Sequence, residues 1–368
     1  MPPSYLMPEP GTEKSHLPTP ALLIDSTALE DNLAAMARFF EGKPAQLRPH
    51  FKTHKCPILA RKQIEAGAIG LTCAKLGEAE VLVEAGIDDI LIANEIVDPV
   101  KIDRLAELAR QSRLIVAVDQ YDNLRQISEA ALRAGSLVNI VIEVDVGLRR
   151  CGVQPGNPAL ALARQAVQLG GIHFAGVLGY EGHAVFVTDA EQRARQAGDA
   201  MQALVATAEL IRQAGLPVEI VSAGGTGTYN LTGAFPGVTE VEAGSYPFMD
   251  TKYRRLGLPF RCALSLLATV ISTPAPDRAI IDAGLKVLAT DNGLPEVISP
   301  SGVRLAALNE EHGRLEVDPA RAVLHVGDRV ELLPSHVCTT VNLHDRYYVL
   351  GDGHLVEIWP ISGRGKSQ

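Results

Sequence analysis

The first two thirds of the chain alternate between short aliphatic runs and longer amphipathic segments. Between Ala21 and Ser245, nine runs have the composition of buried strands: ALLID, LRPHFK, IGLTCAK, DILIANE, RLIVAVD, VNIVIEVDV, IHFAGVLGY, VEIVSAGG and TEVEAGS. Segments with helical spacing lie between them, for example Cys56–Ala66, Gly77–Ala85, Val100–Arg110, Asp122–Arg133 and Ala190–Ala214. One strand and one helix together take roughly 22 to 30 residues, a repeat that is typical of βαβ units and predicts a parallel sheet.

The number of these repeats favours a closed barrel over an open dinucleotide-binding sheet. At least eight units follow one another, and no G-x-G-x-x-G turn follows the first strand. After about Leu256 the pattern changes to short strands separated by Gly, Pro and Asp turns, with no convincing helix between them. We therefore predict an α/β fold, with a (β/α)₈ barrel of the TIM type over residues 16–256 and a β-rich C-terminal domain over residues 257–368.

Composition narrows the class of protein. The 368 residues are 46% hydrophobic and 21% charged, as in soluble globular proteins, and the net charge is -9. With no Lys/Arg run, the chain is not expected to bind nucleic acid or an anionic membrane. The amino terminus has no basic segment followed by an apolar one, no apolar run is long enough for a membrane span, and five cysteines are scattered. These features predict a cytoplasmic enzyme with reduced thiols.

Polar residues follow nearly every predicted barrel strand. In such barrels, catalytic residues collect where the strands end and the following loops begin. Any one of these residues has the alternative interpretation of an ordinary loop residue, but a set on nearly every strand predicts an active-site rim. The candidates are Lys52, Lys75, Asn94, Glu95, Asp119, Asp145, Arg150, Tyr180 and His183.

A glycine-rich turn, Ser222–Thr228, follows a late strand of the predicted barrel. Glycines let backbone N–H groups approach an anion closely, and threonine hydroxyls add hydrogen bonds. Barrels of this kind often bind phosphate in their last loops. The turn therefore predicts a phosphate site, to which Ala243–Tyr246 after the next strand is a further candidate contributor, whereas a plain tight turn is the alternative.

The segment RPHFKTHKCP places Lys52 between His50 and His54, at an early strand end. A lysine that faces a phosphate site across a barrel mouth suits a Schiff base with pyridoxal phosphate. Arg150 is the candidate partner of the pyridine nitrogen. An arginine there would keep that nitrogen unprotonated and make the ring a weaker electron sink, so the reaction would need help from another group, such as a metal.

His336 and Cys338 are the candidate metal ligands. They lie in LLPSHVCTTV, which we interpret as a strand, and residues two apart in a strand point the same way. Nitrogen and sulfur ligands together suit Zn²⁺ better than Mg²⁺. Two protein ligands would leave an open site with positions for water or substrate. The alternative is a core cysteine beside a satisfied histidine.

Taken together, these segments resemble the D-threonine aldolase and D-serine dehydratase family. The resemblance runs from LPTPALLID to EIWPISGRG, and its most specific motifs are RPHFKTHK, EVDVGLRRCG, AGGTGT, EAGSYPFMD, LNEEHG and PSHVCTTVNLHD. The family consists of fold-type III pyridoxal phosphate enzymes with an alanine-racemase-like barrel and a β domain. The resemblance implies a homodimer whose active sites combine a barrel with the partner's β domain.

The resemblance also implies residue roles. Lys52 corresponds to the lysine that binds the cofactor covalently, and Arg150 to the arginine at the pyridine nitrogen. Tyr180 lies at the ring, and His312 lies in a loop on the substrate side. His50 and His54 are expected to support the lysine from behind. The phosphate contacts implied are Gly225, Thr226, Gly227, Ser245 and Tyr246, and the metal ligands implied are His336 and Cys338.

The family has two branches, and the sequence departs from each. Aldolases of this type usually have Asp in place of Cys338, and they carry a histidine base where this chain has Phe186, so His183 is the candidate base here. Dehydratases share the His-x-Cys pair but match the other motifs less well. We expect a lyase that cleaves D-configured β-hydroxy-α-amino acids to glycine and an aldehyde, with Zn²⁺ preferred over Mn²⁺ or Mg²⁺. A D-serine or D-threonine dehydratase is the alternative, and an amino-acid racemase is a weaker one.

Overall fold

A computed structural model of the protein describes residues 7–368. The expected absence of a secretion signal depends on the amino-terminal segment. Residues 1–6 of that segment lie outside the described range. Among the described residues, no helix combines the length and the apolarity needed to cross a membrane. The chain forms two compact units. We call residues 36–52, 57–244 and 365–368 the barrel unit, and the chain up to Ala35, together with residues 53–56 and 245–364, the β-rich unit.

The first strand, β1 (Ala21–Asp25), belongs to the β-rich unit. It pairs in parallel with Tyr348–Leu350 and antiparallel with Leu264–Leu267. The interpretation of ALLID as the opening strand of the barrel rhythm is therefore wrong. Its first four residues are fully buried, and a short, wholly apolar run carries no information about which sheet it joins.

Eight parallel strands form the barrel unit's sheet, in the order β2-β9-β8-β7-β6-β5-β4-β3. The ends of this order also meet, because the backbone N–H of Ile69 donates to Leu47 at 3.0 Å and that of Thr72 donates to Pro49 at 2.9 Å. The predicted closed barrel with a β-rich second part is confirmed. The strands are β2 (Gln46–Leu47), β3 (Leu71–Cys73), β4 (Asp89–Ile92), β5 (Arg113–Val118), β6 (Val138–Glu143), β7 (Ile172–Gly179), β8 (Ile220–Ala223) and β9 (Glu240–Val241).

Helices follow most of these strands, and their ends have ordinary capping chemistry. Asp98 and Asp189 accept backbone N–H groups at two helix N-termini, and Gly135 ends another helix in the left-handed conformation, with φ of 64°. The helices up to the barrel's end are α1 (Ser26–Phe40), α2 (Pro57–Glu65), α3 (Leu76–Glu84), α4 (Pro99–Leu108), α5 (Tyr121–Ala134), α6 (Asn157–Ala166), α7 (Ala190–Gln213) and α8 (Tyr229–Thr232).

Among the described residues, the β-rich unit contains the remaining strands, the first part of α1 and two short α-helices. Its sheet runs β13-β14-β11-β10-β1-β16-β17, and β15 pairs with β10 and β12. Leu17, Leu23, Leu267 and Tyr348 contribute to its apolar core. The elements are α9 (Thr251–Arg254), β10 (Leu264–Ala275), β11 (Arg278–Ile281), β12 (Glu296–Ser299), β13 (Val303–Leu308), β14 (Gly313–Val317), β15 (Arg329–Leu333), α10 (Val337–Val341), β16 (Arg346–Gly351) and β17 (His354–Pro360).

A buried ion-pair network fixes the barrel just before the candidate lysine. The guanidinium of Arg48, only 2% exposed, lies 3.1 Å from Glu240 on β9 and 2.6 Å from Asp89 on β4. A side chain at Gly70 would come within 2.5 Å of this guanidinium. Since removing one partner of such a buried network leaves an uncompensated charge, Arg48 ties three strands into one arrangement.

Candidate active site

Lys52 lies in a tight helical turn, Phe51–Thr53, that follows β2. The ring nitrogen Nδ1 of His50 accepts the backbone N–H of Lys52 at 3.4 Å, and Nδ1 of His54 accepts that of Cys56 at 3.2 Å. The two histidines thus support the backbone on either side of the lysine. Because Phe51 is fully buried, the turn is part of the packed interior and not a solvated loop.

Lys55 donates a hydrogen bond to a backbone carbonyl, whereas Lys52 interacts with the carboxyl group of Glu242. Lys55 Nζ donates to the carbonyl of Gly363 at 3.3 Å. Lys52 interacts electrostatically with Glu242, which follows β9 and accepts a 2.7 Å hydrogen bond from the hydroxyl of Ser222. Desolvation by burial raises the pKa of Glu242 to about 8, against the opposing effects of Ser222 and Lys52. Near neutral pH the Glu242 carboxyl is therefore largely protonated and uncharged. For this reason it does not form a strong ion pair with Lys52.

A buried carboxylate organises the glycine-rich turn after β8. Glu181, which is fully buried, accepts hydrogen bonds from the Gly224 N–H at 3.1 Å, the Thr228 hydroxyl at 2.6 Å and the Thr232 hydroxyl at 2.5 Å. The turn is therefore held from inside by three donors. A side chain at Gly225 would come within 3.3 Å of the Tyr180 ring, so the ring would have to move by a few tenths of an ångström to make room for it.

Arg150 lies beside Tyr180 and a buried acid. Its guanidinium carbon is 5.6 Å from the centre of the Tyr180 ring, and its Nη2 is 3.4 Å from Glu143 Oε1 at the end of β6. Glu95, Glu143 and Cys151 bring their possible ligand atoms within 4.8 Å of one another. Burial and, after it, the neighbouring Glu95 raise the pKa of Glu143 to about 7, against the opposing effect of Arg150. The Glu143 carboxyl thus tends to keep its proton close to neutral pH.

His183, the candidate base, is exposed, and its ring lies against the backbone of Gly147. A side chain at Gly147, where φ is +122°, would come within 3.0 Å of its imidazole ring. Phe186, three residues after His183, is half-buried. The barrel unit therefore contains an accessible imidazole three residues beyond Tyr180.

Three further candidates lie in the β-rich unit. Ser245 and Tyr246 are buried, and the Tyr246 ring packs at 5.8 Å from that of Phe260. His312 is exposed in the turn between β13 and β14, where its carbonyl accepts the N–H of Asn309 at 2.8 Å. Their roles toward phosphate and substrate stay predictions.

The candidate metal ligands are placed by a helix start, not by a strand. β15 ends at Leu333, and His336 is the extended residue that precedes α10, with Cys338 in the first turn of that helix. The strand interpretation of LLPSHVCTTV is wrong in this part, because Pro334 cannot donate to a strand partner. The two side chains nevertheless meet. Burial lowers the pKa of His336, but contacts with Cys338 and Asp291 outweigh burial and raise it to about 9.

Cys338 also contacts the segment that follows the candidate lysine. Its thiol donates to the Thr53 hydroxyl at 3.4 Å, and Thr53 is the next residue after Lys52. Asp250, which caps α9, accepts the backbone N–H of Val337 at 3.3 Å. The start of α10 is thus held on both sides of the two candidate ligands.

Sequence models of known families match both parts of the chain. The model described as "Alanine racemase, N-terminal domain" matches residues 24–252, and a serine dehydratase domain model matches residues 263–350. The chain is 41% identical to D-threonine aldolase of Arthrobacter sp. over 364 residues, covering 98% of this chain and 96% of that protein. This chain belongs to the D-threonine aldolase and D-serine dehydratase family.

Solved structures of the family agree with this placement. D-threonine aldolase from Filomicrobium marinum superposes with a TM-score of 0.95 at 37% identity, covering 98% of this chain and 100% of that one. D-threo-3-hydroxyaspartate dehydratase from Delftia sp. HT23 gives a TM-score of 0.87 at 32% identity, covering 95% and 98%, and a cysteine-to-alanine variant of that dehydratase is known in a metal-free form. The predicted family, fold class and type of enzyme, a pyridoxal phosphate-dependent lyase, are confirmed.

Three acidic residues near the candidate site of this family member are not among the site residues predicted from the sequence. Glu143, Glu181 and Glu242 each lie at or just after the end of a barrel strand, so their positions carried a signal. Nothing in the sequence told them apart from solvated loop acids, since only the fold shows that they are buried or face other charged groups. Asp291, 45 residues before His336, had no sequence signal at all.

Replacing Glu143 by glutamine is expected to remove a pH-dependent loss of stability. The pKa of Glu143 rises from 4.5 to about 7 on folding, so the folded protein holds the extra proton between these values. The free energy of unfolding therefore falls as the pH rises through this window and stays lower above it. Because glutamine does not ionise, we expect the variant to gain about 1–3 kcal/mol relative to wild type between about pH 5 and pH 8.

Urea unfolding at several pH values measures this difference. Glu129→Gln is the matched control, because Glu129 pairs with Arg125 on the exposed surface of α5 and is half exposed. Its stability difference from wild type should be nearly constant with pH. A Glu143→Gln variant whose stability ran parallel to wild type across the whole range would show that the acid does not retain its proton on folding.

Proposed function

We propose that this family member cleaves the Cα–Cβ bond of D-configured β-hydroxy-α-amino acids, giving glycine and an aldehyde. The observation that carries the proposal is the likeness to D-threonine aldolases over nearly the whole chain, at 41% identity in sequence and a TM-score of 0.95 in structure. The dehydratase of the same family is more distant, at 32% identity. D-threonine is the substrate on which the proposal is tested below.

The residues of the barrel unit fit pyridoxal phosphate. Lys52 offers a half-buried amine that is free of a strong ion pair, and Arg150 offers a cation beside the Tyr180 ring. Gly225, Thr226 and Gly227 lie in a turn held by Glu181, and glycine-rich turns of this kind bind anions through backbone N–H groups and hydroxyls. When bound, the cofactor supplies an electron sink for the electron pair left at Cα. We propose that His50 supports this site through the Lys52 backbone, and that Ser245 and Tyr246 also contact the phosphate.

His336 and Cys338 fit a divalent metal. An imidazole nitrogen and a sulfur form a donor pair that favours Zn²⁺ over Mg²⁺, and Mn²⁺ is a weaker alternative. When bound, the metal supplies a Lewis acid for the β-hydroxyl oxygen of the substrate. With two protein ligands, the coordination sphere keeps positions for water and substrate.

The chain's own side chains have distinct tasks in this proposal. Lys52 would hold the cofactor covalently, and Arg150 and Tyr180 would hold its ring. His183, exposed beside Gly147, takes the proton of the β-hydroxyl, the step that lets the Cα–Cβ bond break. Phe186 cannot take this proton, so His183 is the proposed base, and water at His336 and Cys338 is the alternative.

The alternative is a dehydratase that releases ammonia and a 2-oxo acid. One observation favours it: Cys338 occupies the position where related aldolases have an aspartate, and the dehydratase branch shares the His-x-Cys pair. In that reaction Lys52 would remove the α-proton of the substrate, and hydroxide would leave from Cβ. The two reactions differ in which bond of the same substrate breaks.

Identification of the products from D-threonine tests the proposal. The purified enzyme, supplied with pyridoxal phosphate and Zn²⁺, is incubated with D-threonine, and the products are separated and identified. We expect glycine and acetaldehyde in equal amounts. Ammonia and 2-oxobutyrate would instead establish the dehydratase, and L-allothreonine, the product of inversion at Cα alone, would establish a racemase.

We also propose a cytoplasmic homodimer. The proposal rests on the family's usual assembly and on the reduced, scattered cysteines of the chain. Light scattering coupled to size-exclusion chromatography should give twice the mass of one chain.

A further inference from the structure

A carboxylate lies directly behind the proposed metal ligand His336. Asp291 is in the turn before β12, and its Oδ2 lies 2.5 Å from His336 Nδ1. Its other oxygen, Oδ1, accepts a 2.8 Å hydrogen bond from the Thr339 hydroxyl in α10. Both carboxylate oxygens are thus engaged, one by the imidazole and one by the helix that carries Cys338.

The turn that carries Asp291 is attached independently of it. The backbone N–H of Ala289 donates to the Thr340 hydroxyl at 3.3 Å, and the Ser335 hydroxyl donates to the Ala289 carbonyl at 3.1 Å. Asp291 is itself 46% exposed on its side chain. A substitution at this position therefore leaves no buried cavity, and the turn keeps two other attachments.

Asp291 is not placed as a third ligand. Within the part of the chain that the structure describes, the one group of three or more His, Cys, Asp or Glu ligand atoms within 4.8 Å of one another is Glu95, Glu143 and Cys151. Asp291, His336 and Cys338 do not converge in this way, although His336 contacts each of the other two.

This arrangement determines which imidazole nitrogen is available to a metal. A carboxylate only accepts hydrogen bonds, so the nitrogen that faces Asp291 carries the proton. In a neutral imidazole the opposite nitrogen, Nε2, then has the free electron pair. The same contact also orients the ring and makes Nε2 a stronger donor.

We propose that Asp291 is a positioning residue of the metal site: it holds the Nδ1–H of His336, so that Nε2 and the Cys338 sulfur bind the metal. This inference rests on the proposed metal site at His336 and Cys338. Thr339 takes part by fixing the second oxygen of Asp291.

Metal titration of the intact enzyme tests the proposal. The pyridoxal phosphate-loaded protein is stripped with a chelator and titrated with Zn²⁺ against a chromogenic competitor, and separately with Co²⁺. The variants are Asp291→Ala, Asp291→Asn, His336→Ala and Cys338→Ala. Asp328→Ala is the matched control, because Asp328 also faces a histidine, His325, at 3.6 Å, but neither is a proposed ligand.

We expect Asp291→Ala to raise the Kd for Zn²⁺ by about 10- to 100-fold, a change typical of lost support behind a ligand. Asp291→Asn, which can still accept the Nδ1–H but has no charge, should fall between this variant and wild type. The sulfur-to-cobalt absorption should persist in Asp291→Ala and disappear in Cys338→Ala. The control should bind Zn²⁺ within about twofold of wild type.

Two results overturn the inference, and a third overturns the site beneath it. An unchanged Kd in Asp291→Ala would mean that the contact has no part in metal binding. A Co²⁺ spectrum of Asp291→Ala with an altered ligand number would mean that Asp291 binds the metal itself. If His336→Ala and Cys338→Ala bind Zn²⁺ as tightly as wild type, the metal site is elsewhere and the proposed function loses its Lewis acid.

Discussion

Replacing Lys52 by alanine is expected to abolish covalent binding of pyridoxal phosphate and to lower lyase activity by at least about 10³-fold. Lys52 is the half-buried lysine after the first barrel strand. The acidic residue that interacts with it, Glu242, is largely protonated near neutral pH. Because that carboxyl is largely uncharged, no strong ion pair has to be broken before the amine can bond to an aldehyde. No other side chain in the Phe51–Thr53 turn can replace it.

Lys52→Arg separates the covalent role from the charge. Arginine keeps a cation near Glu242 but cannot form the bond, so we expect weak, reversible cofactor binding without activity. The measurement is borohydride reduction of the loaded enzyme followed by peptide mapping, together with the visible absorbance of the bound cofactor. Wild type should be labelled at Lys52 alone, and both variants should remain unlabelled.

Lys55→Met is the matched control. Lys55 is three residues further on, and its ammonium already donates to the Gly363 carbonyl, so its loss should leave the label on Lys52. A label that persists in Lys52→Ala, or that maps to Lys55, would contradict the assignment. Loss of the label in Lys55→Met with Lys52 intact would point to a distorted turn and not to a second cofactor lysine.

The barrel could be predicted because its signal is repeated. Eight strands with intervening helices leave few topologies open, and the strands of a parallel barrel end at the same edge. Lys52, Arg150 and Tyr180 were predicted on that basis, and the structure places all three in the barrel unit. One run, Ala21–Asp25, was assigned to the barrel wrongly, since a strand's partner depends on distant residues such as Leu267.

The site's supporting acids could not be predicted, because burial decides their role. Glu181 follows Tyr180 in the chain, as a loop acid might, yet three donors within the fold converge on it. Asp291 meets His336 from 45 residues away, and no local pattern encodes that contact. His336 and Cys338 are an intermediate case: their spacing predicts that the two side chains meet, but Pro334 ends the strand before them, so a helix start and not a strand places them.

The second large effect is expected at Cys338. Cys338→Ala should remove bound zinc and lower activity by about 10²- to 10³-fold, because one of two protein ligands is lost and the β-hydroxyl loses its Lewis acid. Elemental analysis of the purified variant measures the metal, and turnover of D-threonine measures the activity. Cys262→Ala, a partly buried free cysteine in the same unit, is the control and should keep both. Stoichiometric zinc with full activity in Cys338→Ala would exclude the metal site.

The Cys338→Asp variant tests whether the ligand at this position also determines which reaction occurs, Cα–Cβ cleavage or release of ammonia. A carboxylate retains a ligand at the same position but replaces sulfur by oxygen, so Zn²⁺ should bind more weakly and Mn²⁺ or Mg²⁺ should compete better. If cleavage to glycine and acetaldehyde continues with Mn²⁺, the sulfur tunes the metal and the barrel decides which bond breaks. If instead wild type releases ammonia and only the aspartate variant releases acetaldehyde, the choice between the two branches lies in this one ligand.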